Sequence, residues 1–250
     1  MPENPGSAPA HMGDVYDNFA EAFAKSDALP TWRFVGRPAM EKLLKPHFGP
    51  DTTFLDFGSA SGRVEKGLLI PNGVRPENIT GIEISPEQVA IAQQAIPGAR
   101  FMVGDITKPM VPDGSVDVVF SHMVFEHLDD DQLLAASKNA YAALKPGGTF
   151  AFVVTHPDKM TDLDGTVLTT YGHFKTSAPW GGELDNWRRS IDSTRAILEK
   201  AGFVIDSLEE LPFPPMTETV PEADKAAYAD AYEKYRRYPA IRLAISARKV

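Results

Sequence analysis

The run Phe54-Leu55-Asp56-Phe57-Gly58-Ser59-Ala60-Ser61-Gly62-Arg63 decides the fold. Its apolar first residues are typical of a strand, and a helical pattern follows the glycines, so the run predicts the first βα unit of a wound sheet. Small residues at the turn would let the backbone approach a ligand closely. A tight turn that binds no ligand is the alternative interpretation of the same residues.

The same turn disfavours a dinucleotide site. Counted from Gly58, the G-x-G-x-x-G fingerprint of nicotinamide enzymes requires glycine at positions 60 and 63. The sequence has Ala60 and Arg63 there. A nicotinamide-dependent oxidoreductase is therefore an alternative that fails the pattern twice.

Strand and helix patterns alternate on both sides of this turn. Strand patterns cover residues 53–57, 79–84, 100–103, 116–121 and 149–154, with helical patterns between them. A region without strong periodicity follows, then a helical pattern over 190–201 and strand patterns over 203–208 and 241–247. The sequence therefore predicts an α/β fold with a doubly wound, mostly parallel seven-stranded sheet.

Acidic residues stand at the ends of three consecutive predicted strands. Asp56 precedes the glycines, and Glu83 follows Gly62 by about twenty residues, the place where an acidic residue at a strand end binds ribose hydroxyls. Asp105 could accept a hydrogen bond from an adenine amino group while Ile106 packs against the ring. Ligands of such sheets bind at the carboxyl ends of the strands, so the three positions together predict a nucleoside site. A solvated loop acid is the alternative for Glu83.

Five motifs occur in the order of a known family. They are Leu55-Asp56-Phe57-Gly58-Ser59-Ala60-Ser61-Gly62-Arg63, Gly81-Ile82-Glu83, Gly104-Asp105, Pro112-Asp113-Gly114-Ser115-Val116-Asp117-Val118-Val119 and Leu144-Lys145-Pro146-Gly147-Gly148. With them the chain resembles the class I S-adenosylmethionine-dependent methyltransferases, in particular the small-molecule branch that includes ubiquinone-biosynthesis-like enzymes. The resemblance spans residues 50–155, and more weakly residues 189–203 and the final strand, which resembles the family's antiparallel last strand. Ala60 departs from the family, which usually has glycine there.

The resemblance implies S-adenosylmethionine as cofactor and assigns its parts to residues. Gly58, Ser59 and Gly62 would line the methionine part, and Glu83 would bind the ribose. An early basic residue would meet the cofactor carboxylate; Arg33 or Arg37 could serve, with an exposed helix arginine as the alternative. The full predicted cofactor-binding set is Arg37, Asp56, Gly58, Ser59, Gly62, Glu83, Ile84, Asp105, Ile106 and Ser121.

Composition narrows the partners. The formal net charge is −9, which disfavours nucleic acid, and no apolar run is long enough to span a bilayer. The chain has no cysteine, which excludes disulfides, thiolate zinc sites and a cysteine nucleophile. We expect a cytoplasmic protein without a membrane partner, either a monomer or a homodimer.

The domain organisation is expected to be simple. Residues 1–12 lack apolar periodicity and predict a disordered leader. Residues 13–250 would form a single domain with a Rossmann-like methyltransferase fold. Within it, helices over 13–48 would form a cap and residues 155–190 an acceptor-binding insertion, because long loops are usually functional.

Aromatic residues in the cap and the insertion predict a pocket for a flat or apolar metabolite. The predicted substrate-binding set is Tyr16, Phe19, Phe125, Tyr171, Phe174 and Trp180. These rings could instead only pack the cap onto the core. No metal is expected: Glu126-His127 resembles part of a metal cluster in some relatives, but Met123 occupies its first position, and a thioether is a poor ligand for a hard cation.

Histidine is the expected base where the acceptor must lose a proton, because its pKa lies near neutrality. His127, His156 and His173 are the candidates, and His122 also follows the fourth strand; for each, a structural histidine is the alternative. The sequence thus predicts a methyltransferase that transfers a methyl group to an O, N or C atom of a small molecule by in-line displacement. A noncatalytic module that binds the cofactor or a partner on the same fold is the alternative function.

Overall fold

The computed structural model describes residues 8–26 and 29–250, with side chains from residue 12 onward. The first helix, α1, spans Ala8–Asn18, so it begins inside the segment expected to be a leader. Met12 is buried. The expectation for residues 1–7 lies outside the described residues.

A seven-stranded sheet forms the centre of the structure. Its strands are β1 (Phe54–Phe57), β2 (Ile79–Glu83), β3 (Arg100–Val103), β4 (Val116–His122), β5 (Leu144–Thr155), β8 (Phe203–Leu211) and β9 (Arg242–Lys249). Their order is β3-β2-β1-β4-β5-β9-β8, with β1 to β5 parallel and β9 antiparallel to both of its neighbours. The predicted fold class, including the antiparallel last strand, is confirmed.

Two further strands, β6 (Gly172–Ser177) and β7 (Glu183–Arg188), pair antiparallel as a separate hairpin. The sequence showed no strand periodicity here. Side chains of β6 are mostly exposed, whereas those of β7 are mostly buried. The two strands therefore lack a shared alternation that the pattern could reveal.

Helices cover both faces of the sheet. They are α2 (Ala20–Ala24), α3 (Arg37–Leu44), α4 (Pro86–Ala95), α5 (Asp130–Ala143), α6 (Ile191–Lys200) and α7 (Lys225–Tyr235). Ser85 caps the N-terminus of α4, because its Oγ accepts from the Gln88 backbone N–H at 3.1 Å. A complete capping box begins α5, where the side chains of Asp129 and Gln132 each bond the other's backbone N–H.

The core is built from the alternating faces of the central strands. Phe150 and Phe152 on β5 pack on the side of α5 and α6, whereas Ala151 and Val153 pack on the side of α3. All four are fully buried, as expected of a strand covered by helices on both faces. Because helices cover both faces of the sheet, a binding site is expected at the carboxyl edge of the strands.

Across the described ranges, 8–26 and 29–250, no helix has the length and apolar character required to cross a membrane.

Candidate functional site

A cavity of about 450 Å³ lies at the carboxyl edge of the parallel strands, a volume within the range of small-molecule sites. Consecutive strands in the sheet order each contribute to its wall. The contributing residues are Asp105 after β3, Glu83 on β2, Asp56 on β1, His122 on β4, Thr155 on β5 and Arg242 on β9. The topology therefore collects polar side chains that are distant in sequence along one edge.

The turn after β1 approaches β2 closely. The backbone N–H groups of Gly58 and Ser59 donate to the Ile82 carbonyl at 2.8 and 3.2 Å. Gly58 has φ +83°, and a Cβ there would lie 2.3 Å from Cγ2 of Val124. Only glycine fits this position without moving Val124, and both residues line the cavity.

Ala60 carries backbone strain at the same turn. Its φ is +44°, a left-handed conformation that L-residues other than glycine rarely adopt. The strained turn directs the Ala60 N–H toward Glu83, whose Oε2 accepts it at 2.9 Å. Strain of this kind persists where surrounding contacts fix the backbone, as they do in binding sites.

Glu83 lies in the wall of the cavity and is 7% exposed. Its Oε1 accepts from the Ser85 backbone N–H at 3.0 Å, and its Oε2 accepts from Ala60. Burial raises the pKa of Glu83, while these backbone donors oppose the rise. Each carboxylate oxygen has a further lone pair, so Glu83 can still accept hydrogen bonds from a ligand.

Asp56 faces a second buried acid, Glu65, which the sequence analysis did not select. Oδ1 of Asp56 and both Glu65 oxygens meet no hydrogen-bond donor among the described residues except the neighbouring carboxyl group. Burial raises the pKa of Asp56 well above its usual value, and the charge of Glu65 adds to the rise. Burial likewise raises the pKa of Glu65 to about 7. The pair therefore retains a proton near neutrality.

Asp105, Ile106 and Ile84 lie in the wall at the ends of β3 and β2. Oδ1 of Asp105 accepts from the Thr107 backbone N–H at 2.8 Å, whereas its Oδ2 accepts from no described residue. Ile106 is buried and offers an apolar surface beside it. One free carboxylate oxygen next to an apolar side chain suits a polar aromatic ring such as a purine.

Three residues of the predicted cofactor set lie outside the cavity wall. Gly62 has φ +78° at the end of the turn after β1. Ser121 donates its Oγ hydrogen to the Phe57 carbonyl at 2.7 Å, which joins β4 to β1. Arg37 is exposed and donates to the Gly67 carbonyl at 3.3 Å. Arg33, the other basic candidate, forms an ion pair with Asp224.

Arg63, directly after Gly62, is instead the arginine that lines the cavity near the glycine turn. Its guanidinium lies 4.7 Å from the ring centroid of Phe23 and 5.3 Å from that of Trp32. Its Nη2 also donates to the Phe23 carbonyl at 3.3 Å and to Ser26 Oγ. The sequence signal that could have identified Arg63 as a wall residue was its position directly after the glycine turn, at the start of the next helix.

His127 is the one histidine of the three predicted bases that lines the cavity. Its Nδ1 lies 2.9 Å from the Asp185 carbonyl, which can only accept, so Nδ1 carries the proton. Nε2 therefore accepts from the Tyr16 hydroxyl at 3.2 Å. Burial, with the charges of Glu83 and Glu126, raises the pKa of Tyr16, so this hydroxyl stays protonated.

The other two predicted bases are held away from the cavity. His156 is 1% exposed; its Nδ1 accepts from the Asp158 backbone N–H, and its Nε2 donates to Glu210 at 2.8 Å. His173 lies on the exposed hairpin strand, with Nε2 2.7 Å from Asp185 Oδ1. His156 follows β5 and His173 lies in the segment 155–190, as the sequence indicates, but their rings bond Glu210 and Asp185 instead of facing the cavity.

His122 is the second histidine of the cavity wall. Its ring lies 4.7 Å from that of Trp32, and its buried Nε2 has no hydrogen-bond partner among the described residues. Burial, followed by the charges of Arg242 and Arg63, holds the pKa of His122 well below its usual value. His122 is therefore neutral at physiological pH. Met123 follows it with φ +62°, a second strained residue at this edge.

The predicted substrate-binding rings divide into two groups. Tyr16, Phe174 and Trp180 line the cavity, where Phe23 joins them with its ring centroid 4.8 Å from that of Trp180. The other three lie elsewhere: Phe19 packs beneath Gly181 and Gly182, Phe125 packs in the core against Phe152, and Tyr171 is 64% exposed beneath Arg188. Phe125 follows β4, but its ring packs against the apolar core side chains of Phe150 and Phe152 and not toward the cavity.

A basic group opposite the acidic strand ends was not predicted. Lys159, Lys234, Arg237 and Arg242 line the cavity on the side of β5, β9 and α7. Residues from the segment 155–190 and from the helices over 13–48 both contribute to the wall. Among residues 8–26 and 29–250, no three His, Asp or Glu side chains converge as a metal site.

Comparisons with known proteins agree with this geometry. Residues 55–152 match the model of a family described as a methyltransferase domain. The 2-methyl-6-phytyl-1,4-hydroquinone methyltransferase of Synechocystis sp. is 39% identical over 102 residues, which cover 40% of this chain and 30% of that protein. The trans-aconitate 2-methyltransferase of Variovorax paradoxus is 25% identical over 69% of this chain and 61% of that protein.

The first four curated relatives are matched over only 30% to 63% of their own lengths. Among solved structures, an S-adenosylmethionine-dependent methyltransferase from Mesorhizobium loti aligns with a TM-score of 0.64 at 20% identity, covering 85% of this chain and 96% of that chain. At that identity the likeness shows the fold. Residues 55–152 therefore match a methyltransferase domain, and the likeness to the solved structure extends the same fold over 85% of the chain.

Proposed function

We propose that this protein transfers a methyl group from S-adenosylmethionine to an O, N or C atom of a small molecule. The observation that carries the proposal is the continuity of the cavity, whose wall extends from the acidic ends of β1, β2 and β3 to the ends of β4 and β5. The part at β1 to β3 has the polar side chains that a nucleoside would bind, and the part at β4 and β5 leaves room for a second ligand. A transferase needs both ligands in one enclosed space.

The acidic part of the wall fits the cofactor. Ile106 and the free oxygen of Asp105 would hold the adenine, and Glu83 would accept from the ribose hydroxyls. The methionine end would lie at the glycine turn, where Oδ1 of Asp56 and Oγ of Ser59 are buried without donors. Arg63 supplies a positive charge in the same part of the wall for a carboxylate.

When bound, the cofactor supplies a methyl group on a positively charged sulfur. The protein then has to hold the acceptor in line with that group and exclude water. Met123 and Val124, directly after β4, lie in the wall between the two parts of the cavity. The aromatic side chains of Tyr16, Phe23 and Trp180 enclose one flank, so a small aromatic or apolar portion of an acceptor would fit there.

Tyr16 and His127 are the proposed route for a proton where the acceptor must lose one. The Tyr16 oxygen can take the acceptor's proton as its own proton moves to Nε2 of His127, which is already its hydrogen-bond partner. The His127 Nδ1–H bond to Asp185 would stabilise the resulting cation. An acceptor that is already ionised would not use this route.

Turnover separates this proposal from a noncatalytic module. We expect S-adenosylhomocysteine, the demethylated product, to bind in a calorimetric titration, and labelled methyl to reach an acceptor in a panel of small molecules. Binding without transfer to any acceptor would favour the noncatalytic alternative. Absence of binding at high micromolar concentration would contradict the proposal itself.

The proposal includes a cytoplasmic protein that acts on a metabolite rather than on nucleic acid. The net charge of −9 and the absence of cysteine support it. Fractionation of tagged protein and an electrophoretic assay with DNA and RNA would test the two parts. The assembly state, monomer or homodimer, would follow from light scattering.

A further inference from the structure

We propose that the methyl acceptor carries a carboxylate, which Arg242 and Lys159 bind at the end of the cavity opposite the acidic strand ends. This inference rests on the proposed function, because it names the acceptor class of the same site. The carboxylate site is separate from the aromatic side chains of the cavity, which would hold the remainder of the acceptor.

Arg242 is the main feature that supports a bound anion. It is 6% exposed, lies in the cavity wall, and its Nε has no hydrogen-bond partner among the described residues. Its Nη1 donates to the carbonyl of its own neighbour Ile241 at 3.0 Å, and it forms no ion pair with an acidic group among the described residues. A buried guanidinium without a carboxylate partner is costly, and a bound anion would remove that cost.

The sheet topology explains why Arg242 faces this cavity. Strand β9 runs antiparallel to β5, so its first residue, Arg242, lies beside the last residue of β5, Thr155. Both residues are at the carboxyl edge, Thr155 two strands and Arg242 three strands from the acidic end of β1. The edge therefore carries negative charge on the side of β1 to β3 and positive charge on the side of β5 and β9.

Lys159 supplies a second donor close to Arg242. It lies in the wall on the turn after β5, with its Nζ 5.5 Å from the ring centroid of Tyr235, and it forms no ion pair with another described residue. Burial, then the charges of Arg242 and Lys234, lowers the pKa of Lys159 to about 7. Arg242 and Lys234 therefore place positive charge beside Lys159, and a bound anion would offset their repulsion.

The opposing charges in this part of the wall favour a monoanion. Glu126 is the acidic side chain there; its Oε1 accepts from Thr155 at 3.1 Å, and its Oε2 is buried without a partner. His122 is neutral, and the exposed Lys234 and Arg237 lie at the rim. Arg242 and Lys159 against Glu126 leave about one positive charge, which suits a carboxylate better than a doubly charged phosphate.

The test compares two probes of nearly equal size, one with a charged carboxylate and one with a neutral amide in its place. Protein saturated with S-adenosylhomocysteine is titrated calorimetrically with 3-phenylpropionate and with 3-phenylpropionamide, and with phenyl phosphate as a third probe. We expect the carboxylate to bind about ten- to a hundredfold more tightly than the amide, the range of hydrogen bonds to charged groups. The preference should disappear in Arg242→Met and weaken in Lys159→Met, and persist in the control Arg236→Gln, whose arginine pairs with Glu233 away from the cavity.

The pH dependence gives a second readout. Lys159 is protonated below about pH 7, so carboxylate affinity should fall as pH rises through that value, and Lys159→Met should remove the fall. Lys159 is partly exposed and is in no ion pair, so this variant tests the proposal even if Arg242→Met does not fold. The charged groups that face it are Arg242, Lys234 and Glu126.

Three outcomes would overturn the inference while leaving the proposed function intact. They are equal binding of acid and amide, binding of neither probe at millimolar concentration, and tighter binding of phenyl phosphate than of the carboxylate. Failure of S-adenosylhomocysteine to bind in the first step would instead contradict the proposed function. The two failures are therefore distinguishable in one series of titrations.

Discussion

Replacing Gly58 with alanine tests the close approach between the turn after β1 and the segment after β4. The new Cβ would lie 2.3 Å from Cγ2 of Val124 and 3.2 Å from its Cγ1, while the residue would keep φ +83°. Two costs therefore add. The left-handed conformation costs about 1–2 kcal/mol for an L-residue, and overpacking against Val124 costs about 1–3 kcal/mol.

A matched glycine separates these two costs. Gly73 has φ +87°, and a Cβ there would meet no atom within 4 Å, so Gly73→Ala should lose only the conformational part, about 1–2 kcal/mol. Gly58→Ala should lose about 2–5 kcal/mol in free energy of unfolding, measured by urea denaturation.

A double variant isolates the clash itself. In Gly58→Ala with Val124→Ala, both methyl groups are gone and the nearest remaining Val124 atom is its Cβ at 3.3 Å. The double variant should therefore lose about 1–3 kcal/mol less than the sum of the single losses. Additive losses, or equal losses for Gly58→Ala and Gly73→Ala, would refute the account of this turn.

Three further variants test the acids and the proton route. Because burial raises the pKa of Glu65 from 4.5 to about 7, the folded state binds more protons than the unfolded state in that window. The free energy of unfolding should thus fall by about 3 kcal/mol as pH rises through it, and urea curves of Glu65→Gln should show a smaller fall, because only Asp56 of the pair would then keep a raised pKa. Glu83→Ala should weaken S-adenosylhomocysteine binding about tenfold or more by calorimetry, while Glu209→Ala, an exposed acid paired with Lys42, should leave it unchanged. Tyr16→Phe should slow transfer to a protonated acceptor about a hundredfold, with cofactor affinity retained; an equal loss of cofactor affinity would contradict its role.

The acidic half of the site could be predicted because strand ends and topology determine it. Asp56, Glu83 and Asp105 each lie at or just after the end of a parallel strand, and parallel strands bring such ends to one edge whatever the loops do. The strain at Ala60 was not visible as a residue pattern. It accompanies a tertiary contact, the hydrogen bond from the Ala60 backbone N–H to Glu83.

The basic half could not be predicted because its burial depends on tertiary contacts. In the sequence, Arg242 alternates with apolar residues and is typical of a half-exposed edge strand. In the structure it is buried at the start of β9, because β8 covers the far edge and the cavity wall closes over it. His156 shows the reverse case: it follows a strand as a catalytic residue would, but its ring bonds Glu210 instead.

The most direct test of the central claim is a crystal structure with S-adenosylhomocysteine bound. The account predicts adenine between Asp105 and Ile106, ribose hydroxyls on Glu83, and the sulfur directed past Met123 toward the side of the cavity that contains Arg242. A ligand bound outside this cavity, or one whose ribose does not contact Glu83, would contradict it.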